Sequence, residues 1–299
     1  MKFALESEGT ENVRRKGKGS MFYLLLAITA NSLMMFVMRY SEKHEGNRDA
    51  ATVFNYVAGI VITVLLMKEK VFFTNSPAGW IAVGLGAFNA VCMVGGMFLN
   101  LINVGKNGAP MTATFGKLGI LIPTILSMIL FREIPSVVQL VGLVLAVAAI
   151  IYLNGGTGEG GGIRSLPLLL ILFLVSGFID FNSKLYGVFG QADLQDQFVF
   201  WTFLFSALLS FAILIRNGKP VKKQDVINGV LLGIPNQLIT YCMVRVVLYL
   251  PAYLAFPLAS AGVILAVNVI NFVVFREKLS PRELKATGFI GLALILLNL

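Results

Sequence analysis

Long apolar runs separated by short charged breaks set the pattern of this chain. Ten runs reach or approach the roughly 20 residues needed to cross a bilayer: 21–38, 52–67, 80–102, 111–130 and 137–153, then 166–186, 198–215, 226–248, 252–275 and 284–297. No alternation of period two interrupts them, so each is read as a helix. The predicted fold is an all-α membrane protein with ten transmembrane helices.

The pattern repeats. Adding 144 carries Phe131-Arg132-Glu133-Ile134-Pro135-Ser136 onto Phe275-Arg276-Glu277-Lys278-Leu279-Ser280. The same shift keeps Leu140 on Leu284, Ala149 on Ala293 and Asn154 on Asn298. A shift of 147 puts Leu85-Gly86-Ala87-Phe88-Asn89 on Leu232-Gly233-Ile234-Pro235-Asn236. The chain therefore divides into a tail at 1–20, a five-helix repeat at 21–154, a glycine-rich linker at 155–163 and a second five-helix repeat at 164–299. Five is odd, so the halves must enter the membrane from opposite sides. Inverted repeats of this kind are a common architecture of secondary transporters, with a site near the midplane.

Composition sharpens this picture. Of 299 residues, 57% are hydrophobic and only 13% charged, about half the charge of a typical soluble domain. The net charge of +9 is spread over breaks rather than along one helix face, which excludes nucleic acid and suits a membrane surface. The tail carries Lys2, Arg14, Arg15, Lys16 and Lys18 and is expected to be disordered or to lie on the membrane. Basic residues in the first-half breaks place both termini in the cytoplasm, while those in the second half point the other way; the first helix is given precedence. The linker contains Gly156-x-Gly158-x-x-Gly161, but no strand precedes it, so it is not a dinucleotide fingerprint. Cys92 and Cys242 lie inside apolar runs and read as small core residues. His44 falls in a charged break. No metal-ligand spacing and no catalytic grouping is present, so neither a cofactor nor enzyme activity is expected.

The break Glu133-x-x-Ser136-x-x-Gln139-Leu140-x-Gly142 and its copy Glu277-x-x-Ser280-Pro281-x-Glu283-Leu284-x-Ala286 resemble the drug/metabolite transporter superfamily, specifically its EamA-type ten-helix members. The resemblance covers residues 20–299. Arg276 stands where that family commonly has Gly, and Glu283 and Ala286 stand where Gln and Gly are common. It implies transport of small metabolites, often export of amino acids or related compounds, through a cavity lined by helices one, three, four, six, eight and nine. The motif itself marks the fold and carries no substrate information.

Charges inside spans cost roughly 2.5–3.5 kcal/mol on insertion scales and so mark function by default. Lys117 lies about two turns inside helix four between Gly116 and Gly119; it is expected to attract an anionic group or hold an intramembrane carboxylate, the alternative being a snorkelling interface lysine. Asp180, the one carboxylate placed within a span, either couples transport to protons or pairs locally with Lys184 four residues on. Arg245 is an interface anchor or an anion site. Asn89 and Asn236 occupy matching repeat positions, and Asn31 and Tyr241 complete the expected substrate site. The other span asparagines read as inter-helix glue. The expected partners are a small-molecule substrate, a proton in the coupled case, and lipids, for a monomer or homodimer in the inner membrane. The alternative is a non-transporting receptor or a lipid-modifying enzyme.

Overall fold

The computed structural model describes residues 2–42, 46–154, 164–273, 276, 281–297 and 299. His44, the linker at 155–163 and the second copy of the charged break at 277–280 lie outside them. The described residues contain no strand. Eleven helices follow in order: α1 Lys2–Glu42, α2 Arg48–Leu66, α3 Pro77–Asn107, α4 Ala109–Leu118, α5 Leu121–Phe131, α6 Val137–Asn154, α7 Leu166–Phe189, α8 Gln195–Asn217, α9 Lys223–Val247, α10 Ala252–Val273 and α11 Pro281–Leu297. The stretch 2–18 continues α1 as a helix, so of the two expectations, disorder or a segment on the membrane surface, the first is overturned; it contains no proline to stop a helix.

Eight helical stretches are long and apolar enough to cross a membrane, with α4 and α5 together forming one of them, Met111–Phe131. α6 and α11 carry the shorter apolar stretches Val137–Tyr152 and Leu284–Leu297. Large apolar side chains point outward: Leu65, Ile129 and Val144 are 73%, 67% and 62% exposed. That face suits lipid and would be a liability in water.

Local chemistry fixes the ends. Asn47 caps α2, its side-chain oxygen accepting from the Asp49 and Ala50 amides, and Ser76 caps α3 ahead of Pro77. Gly108 and Gly218 take positive φ at the ends of α3 and α8. The end of α5 is different. Arg132 turns the chain with φ 54°, and Arg276, 144 residues later, does so with φ 53°; among the described residues they are the only non-glycine positions in that region. A side chain there costs roughly 1–2 kcal/mol.

The two sequence halves interleave. α2 packs on α8 and α9, α3 on α7 and α8, and α1 on α9 and α10. Small residues allow the approach: a Cβ on Gly229 would stand 2.4 Å from the Ala51 carbonyl, and one on Gly233 2.3 Å from that of Asn55. Gly86 makes the equivalent approach from α3 to α8, beside Trp201 and Thr202. α6 and α11 pack together along Gly142, Ala149, Ala286 and Ala293. These are the close crossings that small side chains permit in lipid.

Two outcomes follow. Gly233→Leu should abolish monodisperse protein in size-exclusion chromatography, whereas Gly84→Leu, at a position with open space around its Cβ, should not. Arg132→Gly should raise thermal stability by about 0.5–1 kcal/mol, read by unfolding in detergent, because glycine relieves the left-handed strain.

Candidate functional site

The site begins with a broken helix. Pro123 has no amide hydrogen, so the Gly119 carbonyl four residues earlier loses its helical donor. It accepts instead from the Ile122 amide at 2.9 Å, while the Gly119 and Ile120 amides reach back only three residues, to Gly116 and Lys117, at 3.3 and 3.4 Å. α4 therefore stops at Leu118 and α5 restarts at Leu121. Interruptions of this kind leave backbone groups exposed beside a cavity.

Gly119 also sets a crossing. A Cβ on it would stand 2.9 Å from the Gly177 amide nitrogen, and one on Gly177 would stand 2.7 Å from the Gly119 carbonyl. α7 thus touches the break backbone to backbone. Asp180, three residues beyond Gly177, lies on the same face of α7, and it attracts Lys117 electrostatically.

Lys117 and Asp180 share a cavity of about 140 Å³. From α1 come Ala27 and Asn31, from α9 Ile239 and Met243, and from α10 Phe256, Ala259, Ser260 and Val263. Each set follows helical spacing, so each helix presents one stripe to the cavity. Most of the lining residues are apolar, and four bring polar side chains: ammonium, carboxylate, amide and hydroxyl. Among the described residues, the ion pairs within 4 Å are Lys184 with Glu133 and Arg245 with Asp196. Lys117 and Asp180 are not such a pair. Nor do the side chains of Lys117, Asp180, Asn31 or Ser260 join any hydrogen bond among the described residues. All four line the cavity.

The other expected site residues lie elsewhere. Asn236 donates from Nδ2 to Asn55 Oδ1 at 3.1 Å, joining α9 to α2. Asn89 is buried in α3 with Oδ1 unpartnered, away from the cavity lining. Arg245 is held by Asp196 at 3.1 Å and lies over Tyr241, 3.5 Å from the ring centroid, so both close the end of α9 outside the cavity. The local Asp180–Lys184 pair does not form. Lys184, 5% exposed, donates instead to Glu133, whose carboxylate reaches in from the turn at Arg132, while Asp180 turns to the cavity. Sequence reasoning missed Ser260, Phe256 and Met243. The available signal was the stripe Phe256-x-x-Ala259-Ser260-x-x-Val263 beside Pro257, with a serine that by itself says little.

The cavity draws on α1, α4, α7, α9 and α10, and α3 does not reach it. No protein-family model matches the chain, and no curated protein matches it. A solved structure described only as "Crystal structure of protein" superposes with a TM-score of 0.73 at 16% identity, over 93% of this chain and 96% of that one. At that identity the likeness is one of fold.

Because the two cavity charges compensate each other, neutralising either strands its partner in a low dielectric. Lys117→Met and Asp180→Asn should each destabilise the protein, and the double variant should cost less than the sum of the two. The expected coupling is about 0.5–3 kcal/mol, measured by thermal unfolding in detergent; strict additivity would mean the charges do not sense each other.

Proposed function

We propose that this chain is a secondary transporter, an exporter of a small polar metabolite such as an amino acid or related compound, working by alternating access. The observation that carries the reading is the cavity itself: inside a bundle of apolar helices it holds one positive, one negative and two neutral polar groups without internal partners, beside an interrupted helix. Burying such groups is costly unless they are used. An occupant with an anionic end for Lys117 and a cationic end for Asp180 would satisfy both, and the apolar walls of Ile239, Met243, Phe256 and Val263 would take a hydrocarbon portion.

The reading includes ten spans arranged as an inverted repeat of two five-helix halves, as in the EamA-type transporters that the sequence resembles, in the inner membrane with both termini cytoplasmic. Packing supports it. Matching each helix with the one five spans later carries the α2–α9 contact into α8–α3, α1–α9 into α7–α3, and α1–α10 into α7–α4; α2–α8 and α6–α11 map onto themselves. The two left-handed arginines are related by the same shift that relates the sequence repeats.

The test is uptake from a pooled metabolite panel into proteoliposomes, read by mass spectrometry, with and without a pH gradient. A zwitterion should be moved at least tenfold faster than its decarboxylated amine or deaminated acid, and Lys117→Met should abolish that preference. Accumulation above equilibrium only with the gradient, lost in Asp180→Asn, would assign coupling to Asp180. Folded, monodisperse protein that moves no compound would favour a receptor or a lipid-modifying enzyme.

A further inference from the structure

About one helical turn from the cavity, on one side of it, stand two groups of charged and aromatic side chains. On α1 the step is from Ala27 to Tyr23, on α7 from Asp180 to Lys184, and on α10 from Phe256 to Ala252; on α9 Arg245 follows two residues, about 3 Å, after Met243. A turn rises about 5.4 Å, so these residues form the next level of the bundle. They meet there. Arg245 bridges Asp196 at the start of α8, with the Tyr23 ring centroid 5.6 Å and the Tyr241 centroid 3.5 Å from its guanidinium. Glu133 receives Lys184 on Oε1 and the Ala252 amide, at 2.8 Å, on Oε2. The Lys184 ammonium also lies 5.9 Å from the centroid of Phe131, which stacks on Phe181 and meets Phe189 edge-on.

Within this level Glu133 has a distinct place. The Arg245–Asp196 ion pair joins two helices of the second half, and, among the described residues, Arg245 reaches the first half only through the face of the Tyr23 ring. Glu133 comes from the first half, and both of its partners belong to the second. Its backbone is held in position by the left-handed turn at Arg132, and the carboxylate accepts a charged donor and a helix N-terminal amide together.

We propose that Glu133 is the latch of one access route: its bonds to Lys184 and the Ala252 amide hold the end of α5 against α7 and α10 beside the cavity, and they break whenever that end opens. The inference rests on the transport reading. It gives the charged break a mechanical task besides marking the fold, and it makes Lys184 a positioning residue for the closed state rather than part of the binding site.

The test reads closure separately from transport. In a Cys92→Ser, Cys242→Ala background, Ser260→Cys puts a thiol in the cavity, and a membrane-impermeant maleimide is applied to vesicles from the face that carries Glu133. Labelling should be slow in the parent and at least tenfold faster with Glu133→Gln. Monodisperse Glu133→Gln protein that labels at the parental rate would overturn the latch. If Glu133→Gln does not fold, Lys184→Cys with Glu133→Cys replaces it: bridging those two thiols with a short bifunctional reagent should keep cavity labelling slow from that face, and fast labelling in fully bridged protein would equally overturn the proposal. Bridging should also stop flux of any compound that the panel identifies. Absence of flux in the parent would instead remove the transport reading and leave the labelling result to stand.

Discussion

Inside hydrocarbon, a charge must be neutralised by another charge, by a hydrogen-bond network or by water in a cavity. That constraint sorts the ionisable groups of this bundle. Lys184 and Arg245 are neutralised by Glu133 and Asp196 at one end. Lys117 and Asp180 attract one another across a space that neither fills. The first two pairs hold helices together. The third leaves its hydrogen-bonding capacity open beside the cavity.

The backbone makes this possible through small, local departures from ideal helix. Pro123 breaks the fourth span within two turns of Lys117, and the glycines on either side of the crossing with α7 let Asp180 approach. Arg132 bends the chain so that Glu133 points back toward α7 and α10 instead of out into solvent. Each departure costs a little and is held by packing around it.

Sequence reasoning reached the helices because their signal is length and apolarity, which survive any arrangement of neighbours. Depth within a span is also a one-dimensional property, and it singled out Lys117, which lines the cavity. Sequence reasoning failed where geometry is three-dimensional. The four-residue spacing of Asp180 and Lys184 suggested a pair, but a carboxylate 51 residues away in the chain outcompetes the local one. Asn236 and Asn89, matched by the repeat, were expected to face one central site, yet one is bonded to Asn55 and the other is buried in α3. Ser260 was invisible, since nothing about a serine in an apolar run says which stripe it occupies.

The interleaving of the halves also constrains how the chain is made. Each early span is apolar enough to enter a bilayer alone, but α2 and α3 find their closest partners only on α8 and α9. During synthesis, Asn55, Asn89 and the glycine faces of the first half must wait in lipid for more than a hundred further residues to emerge. Closing these crossings is thus a late step of assembly, one that needs the second half of the chain.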